Sequence, residues 1–353
     1  YASNAAGQQI GMTPPAGQTL AYDWTDGKVS AIRVNGATLL SGIAYEPFGP
    51  VLSWTWGNGQ TGIRDHDLAG RTRSVTLGTD PKTGSPDSRS YGFDAAGRVR
   101  SILAANDATL GQVHGYDGLD RLTATQLGNP VTSSQSLAYD LTGNRTNKTV
   151  NGASTTYTTQ ATSNRLQSLS GAQVKSYGYD AAGNITSDGG NTYAYDNAGR
   201  RTSATINSQS WQYTYNAFGQ RVRKTNGSAV TFYAYDEAGH LLGEYDATGK
   251  LIQETVWLGD LPVATLRLPA GASTGPANAF YVHADHLNTP RRITRPADNK
   301  VMWQWESEPF GNSYPNENPQ GQGTFVYNLR FPGQLFDQET GTHYNYFRDC
   351  YDP

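Results

Sequence analysis

Tyr139-Asp140-Leu141-Thr142-Gly143-Asn144-Arg145 is one copy of a phrase that recurs at intervals of roughly twenty residues, and its reading decides the fold. It returns around Tyr91 to Arg98 (with Phe93 before Asp94), at Tyr116-Asp117-Gly118-Leu119-Asp120-Arg121, and at Tyr179-Asp180-Ala181-Ala182-Gly183-Asn184. Further copies are Tyr195-Asp196-Asn197-Ala198-Gly199-Arg200, Tyr215-Asn216-Ala217-Phe218-Gly219-Gln220 and Tyr235-Asp236-Glu237-Ala238-Gly239-His240. The aromatic closes an extended run with period-two alternation, such as Asn191 to Tyr195. Asp opens a turn by accepting backbone hydrogen bonds, and Gly supplies positive φ. Arg, Asn or Gln followed by an apolar residue, as in Arg98-Val99, Arg121-Leu122 and Asn184-Ile185, starts the returning strand. Each copy therefore reads as a β-hairpin. Hairpins joined edge to edge predict an all-β chain, an array forming a curved single-layer sheet.

Composition supports that reading. The 353 residues include 40 Gly and 22 Tyr, while hydrophobic residues make up only 36%. A compact domain of this length normally carries more Leu, Ile and Val. The expectation is a sheet without a central core, held by cross-strand pairs and Arg–Tyr stacking. A net charge of −3 without a basic run argues against a nucleic-acid surface, and no apolar stretch is long enough to span a bilayer. Cys350 is the single cysteine and reads as a small buried hydrophobe. The chain begins at Tyr1 and stops after Tyr351-Asp352-Pro353, and reads as a segment of a longer polypeptide.

Three regions are expected: entry repeats over 1–90, the regular array over 91–250, and a specialised terminal part over 251–353. In the first, Pro47-Phe48-Gly49-Pro50 and Trp54-Thr55-Trp56-Gly57-Asn58-Gly59 form a block closed by an Asn-Gly turn. One copy, Tyr157 to Leu166, has lost its Asp and Gly but keeps Asn164-Arg165-Leu166. Stretches 268–278 and 312–323 are rich in loop-forming residues and read as exposed loops.

The last hundred residues carry a resemblance. Tyr281-Val282-His283-Ala284-Asp285-His286-Leu287-Asn288-Thr289-Pro290-Arg291, then Val301-Met302-Trp303-Gln304-Trp305 with Glu308-Pro309-Phe310-Gly311, then Leu329 to Arg348 resemble in order the three core elements of the RHS, or YD-repeat, family. Within the third element stand Gly333, Gln334, Asp337, Gly341 and Tyr344. Asn288 stands where the family usually has Gly, and Asp349-Cys350 where it usually has an aromatic pair. The resemblance implies hairpins spiralling into a hollow shell closed by an RHS core. It also implies a variable C-terminal toxin enclosed by that shell and released by self-cleavage at a downstream element with acidic residues.

The resemblance makes the leading function a non-catalytic shell segment of a secreted bacterial toxin, of the type VI or toxin-complex kind. The expected partners are the chain's own C-terminal cargo or the rest of the same RHS chain, with secretion-apparatus or chaperone proteins as further candidates. No nucleic acid, membrane span or cofactor is expected. A cell-surface adhesion or carbohydrate-binding protein, like the teneurins, is the second class; an autoproteolytic aspartyl-type core is the third. Exposed tryptophans at Trp54, Trp56, Trp303 and Trp305 favour adhesion, and buried ones favour the shell.

Candidate sites divide the same way. His283, Asp285 and His286 invite a metal reading, but strand residues three apart point to opposite faces, so a structural role is favoured. Asp337 and Glu339 read as an ordinary turn closed by Gly341. Arg348 and Asp352 are the candidate contributors to self-cleavage, although no complete catalytic site lies in this span.

Overall fold

The turn residues do what their chemistry dictates, and one copy shows it fully. The Asp117 N–H donates to the Arg121 carbonyl at 3.0 Å, and the Asp120 N–H donates to the Asp117 carbonyl at 3.2 Å. Oδ1 of Asp117 accepts from the backbone N–H groups of Leu119 and Arg121, at 2.9 and 3.0 Å. The fourth position of the turn must be left-handed. Gly usually fills it, but here Asp120 does so at φ 64°, a conformation that Asp and Asn tolerate better than other side chains. The strands Gln112–Tyr116 and Leu122–Leu127 run antiparallel from this turn, with a register shift beside Tyr116. A three-residue loop ending in a left-handed residue produces that bulge.

The computed structural model describes residues 1–47, 49–346 and 350–353. Phe48, Phe347, Arg348 and Asp349 therefore lie outside the described residues. Among the described residues there are 32 strands, one short 3-10 turn at Ala108–Leu110 and no α-helix. All pairings are antiparallel. Two compact units result: 1–90 with 229–307 and 311–335, and 91–228 with 308–310 and 336–353.

The first unit holds two runs of hairpins, from Ala2–Ser3 to the strand beginning at Pro86, and from Val230–Tyr235 to Val301–Gln304. They share a hydrophobic core. Ile32, Leu40, Trp54 and Trp56 come from the first run, and Val256, Val263, Leu266 and Tyr281 from the second. A neighbouring cluster gathers Ile293, Trp303, Trp305, Phe325 and Tyr327. Low average hydrophobicity predicts no such core. The average conceals that strands such as Leu261–Arg267 are buried along almost their whole length, whereas the repeat strands are not.

The second unit follows the expectation more closely. Its hairpins run from Val99–Ala104 to Lys175–Ser176 and from Gly178–Tyr179 to Arg221–Thr225. The buried positions on the strands from Gln112 to Thr159 are mostly polar: Gln112, His114, Thr125, Gln135, Lys148 and Thr155. A small cluster of Tyr193, Ala204 and Tyr213 is its apolar centre. Residues 268–277 and most of 311–323 are loops.

Candidate functional site

Successive hairpins of the second unit are joined by a repeated clamp. Nε of Arg121 donates to Asp117 Oδ2 at 2.7 Å, which aims the guanidinium at the next hairpin. There it lies 4.9 Å from the Tyr139 ring centroid, and its Nη1 donates to the Asp140 carbonyl at 2.9 Å. The Tyr139 hydroxyl donates back to the Leu122 carbonyl at 2.8 Å. The same parts recur with Arg98 over Tyr116, and the ring contact and returning tyrosine bond recur with Arg200 over Tyr215. In the degenerate copy Arg165 lies over Tyr179, whose hydroxyl donates to the Leu166 carbonyl at 2.6 Å. Around Tyr195-Asp196-Gly199 the Arg200 Nε reaches Asp196 at 2.7 Å. Asn144 and Asn184 replace the arginine with an amide on Asp140 and Asp180. Gly143, Gly183 and Gly199 sit at positive φ.

The first unit uses the same grammar, once without the tyrosine and once in a further copy of the full phrase, Tyr245-Asp246-Ala247-Thr248-Gly249. Asp67 and Arg71 form the turn and ion pair without a preceding Tyr-Asp, and Asp246 opens another turn closed at Gly249. Asp285 proves to be a turn opener as well. Its Oδ1 accepts from the N–H groups of Leu287 and Thr289, and its Oδ2 from Arg291 Nε at 2.7 Å. Asn288 takes the left-handed position at φ 65°. Pro290, buried at the head of the strand Pro290–Thr294, delays the arginine, and Arg291 lies over Trp305 at 5.3 Å.

His283 and His286 occupy different settings. His283 is buried in the strand Asn278–Ala284, its Nε2 is 2.8 Å from Thr294 Oγ1, and its ring lies 4.7 Å from Trp56. Burial, with Arg292 nearby, pushes its pKa down to about 3, so the ring is neutral. The backbone of Gly78 faces it at positive φ, where an added Cβ would come within 2.5 Å of Nε2. His286 sits in the turn itself. Among the described residues no three His, Cys, Asp or Glu side chains group as a metal site.

The second unit receives the core segment at a buried polar site. The hairpin of Gln334–Asp337 and Thr342–Asn345 places Asp337 against Arg221, both side chains 1% exposed. The pair is bidentate, at 2.6 and 2.8 Å. The Arg221 guanidinium lies 5.2 Å from the Tyr213 ring and 4.3 Å from that of Tyr344. Lys224 donates to Glu339 at 3.0 Å, and so does the Tyr213 hydroxyl at 2.9 Å. The Tyr344 hydroxyl accepts from the Arg221 N–H, and Arg201 Nη1 reaches Thr342 Oγ1 at 3.1 Å. Burial alone would raise the Asp337 pKa, but the positive charges of Arg221 and Lys224 hold it below the ordinary carboxylate range. Asp337 is thus an ionised anchor, the opposite of a carboxyl sharing a proton.

Asp337 does open the turn expected of it, through its carbonyl, which accepts from the Thr340 and Gly341 N–H groups. Its carboxylate is spent elsewhere. Gly333 is likewise at positive φ, and Gln334 closes a turn onto the Phe331 carbonyl. Asp352 pairs with Lys175 at 3.0 Å. Its expected neighbour Arg348 lies outside the described residues. Tyr351 exchanges backbone hydrogen bonds with His343 and donates its hydroxyl to the Phe310 carbonyl.

Arg221, Arg201 and Lys224 were not foreseen, although a signal existed. The residue starting each returning strand is apolar in most copies. It is Arg in three: Arg145, Arg201 and Arg221. These three meet core residues, Arg145 lying over Phe310 at 4.6 Å. The arginines out of pattern mark the seat.

The Teneurin YD-shell family model matches residues 109–254. A probable deoxyribonuclease RhsA of Dickeya dadantii is 27% identical over 98% of this chain, which covers 22% of that protein. A double-stranded DNA deaminase toxin A of Burkholderia cenocepacia is 26% identical over 82% of the chain, again 22% of its own length. A tRNA3(Ser)-specific nuclease WapA of Bacillus spizizenii is 28% identical over 58% of the chain and 9% of that protein. The chain therefore spans a small part of the relatives it matches. Among solved structures, a Photorhabdus luminescens Tc holotoxin pore superposes with a TM-score of 0.76 at 17% identity, covering 99% of this chain and 19% of that one. A TcdB2–TccC3 complex gives a TM-score of 0.74 at 15% identity, covering 98% and 20%. Both likenesses establish the fold.

Proposed function

We propose that the chain is a member of the RHS/YD-repeat family and, from that premise, a non-catalytic segment of an encapsulating shell around a C-terminal toxic cargo of the same polypeptide. The observation that carries this over adhesion is the burial of the tryptophans: Trp54, Trp56, Trp303 and Trp305 are 6%, 1%, 0% and 0% exposed. A surface that reads sugars or proteins through aromatics must present them. These four are packed in cores instead.

The clamp supplies stiffness. At the Arg98 and Arg121 joints an arginine is fixed between a carboxylate behind it and a ring and carbonyl ahead of it, which holds neighbouring hairpins together without a filled interior. The mostly polar buried positions from Gln112 to Thr155 fit a wall that stands without a filled apolar core. The buried Arg221–Asp337 pair anchors the core segment and leaves Asp337 no shared proton, so the residues of this span proposed to contribute to self-cleavage are Arg348 and Asp352, together with a downstream element. Among the described residues no helix is long and apolar enough to cross a membrane. The partners in this reading are the cargo, the remainder of the same chain, and the secretion or chaperone proteins that handle it. Its place is outside the producing bacterium.

The test uses the natural full-length protein, purified under native conditions and treated with a nonspecific protease. A C-terminal fragment that survives digestion, stays associated and is released only by denaturant is the expected outcome. A C-terminal region digested as fast as a free polypeptide overturns the reading.

A further inference from the structure

We propose that His240 makes one joint of the repeat series a pH-responsive latch, closed by the imidazolium and half-open when the ring is neutral. The argument begins with an equivalence. In the copy at Arg98, the guanidinium binds Asp94 of its own turn and Asp120 of the next at 2.7 Å each, and lies 4.7 Å from the Tyr116 ring. Tyr116 in turn donates to the Val99 carbonyl. His240 repeats every part of this with different residues. Its Nδ1 is 2.8 Å from Asp236 Oδ2 in its own turn, and its Nε2 is 2.9 Å from Asp260 Oδ1 in a second turn. Its ring stacks on Trp257 at 4.7 Å and 22°, and Trp257 Nε1 donates to the Leu241 carbonyl.

Two carboxylates on the two ring nitrogens require both nitrogens to carry protons, which only the charged ring does. A neutral imidazole donates once and turns a lone pair toward the other carboxylate. Arginine is charged at every physiological pH, so the Arg98 joint is permanent, whereas the His240 joint is made by a group that can lose its charge. The hydrogen bond that the ring donates to Asp236 is the largest influence on it, outweighing burial, and with Asp260 it raises the pKa above the ordinary histidine value. The remaining groups around the joint are Glu237 and the hydroxyls of Tyr1 and Tyr22, which face Asp236. These tyrosines stay neutral over the range concerned because burial raises both. Asp260 is largely exposed, so it is the end that lets go, freeing the turn between Leu251–Leu258 and Leu261–Arg267.

The test is amide hydrogen exchange of that turn between pH 5.5 and 8.5 on this chain, corrected for intrinsic rates, with the His240 ring followed by NMR. Protection should fall by about two- to fivefold as pH rises through the ring's titration, the scale of an exposed ion pair. His240→Arg should hold the low-pH protection at every pH. Asp260→Asn, at an exposed position that leaves folding intact, should remove the pH dependence. A wild-type turn whose protection does not change with pH, a ring titrating at or below the ordinary value, or an unchanged dependence in Asp260→Asn each overturns the latch.

Discussion

Asp337 and Arg221 carry the largest single-residue consequence. Both are buried; the Arg221 guanidinium is countered by Asp337, whose carboxylate also faces Lys224. Asp337→Ala leaves a guanidinium uncompensated in the interior and should cost the second unit about 3–5 kcal/mol, read by chemical denaturation. Replacing both by leucine-sized apolar residues should recover most of that loss, because the penalty lies in the stranded charge. The pH dependence follows from the direction of the shift. A carboxylate whose folded pKa is depressed contributes stability above its unfolded value, about 4, and loses it as pH falls through the folded value. Exchange protection of residues 336–345 should therefore hold at pH 5 and collapse only in stronger acid.

At the scale of the hairpin, the clamp matters more than any strand's intrinsic preference. Tyr139→Phe keeps the ring under Arg121 and removes the bond to the Leu122 carbonyl. It should cost about 0.5–1.5 kcal/mol, and the same change at Tyr116 should add to it, with the loss visible as faster exchange across the two hairpins. Asp120 and Asn288 extend the point to the turns. Replacing Asn288 by Gly should be nearly neutral, since the left-handed position suits Gly at least as well; Asp120→Gly should lose only the exposed pair with Arg98, about 0–1 kcal/mol, whereas a β-branched residue at either position should destabilise by about 1–3 kcal/mol in a melting experiment.

For the molecule as a whole, the buried histidines set its response to acid. His283 in the first unit and His114 in the second are held neutral by burial, with pKa values of about 3 and about 4. Their folded pKa lies below the unfolded 6.5, so the stability they permit is complete above about 6.5 and lost as pH falls toward those values. Each contributes a slope of about 1.4 kcal/mol per pH unit within that window. Urea midpoints measured from pH 7 to pH 4 should decline accordingly, and a His283→Gln chain should decline less steeply even though it starts lower. His240 works with the opposite sign, its contribution present below the ordinary histidine value and lost as pH rises through its raised pKa.

The hairpin array was legible in the residues alone because its determinants are local. Asp caps a turn within four residues of itself, the left-handed position accepts few side chains, and period-two runs on either side have one way to pair. The three core elements were legible through likeness, and burial of the four tryptophans answered the question their sequence posed. The clamp's connectivity, the core uniting Ile32 and Trp56 with Val263 and Tyr281, and the seat at Arg221 were decided by tertiary structure. Each joins residues that no local rule relates, and Arg221 meets Asp337 across 116 positions. A charge's partner in the fold depends on which strands are brought together. An arginine in a strand reads as a solvated side chain until a buried carboxylate is placed against it.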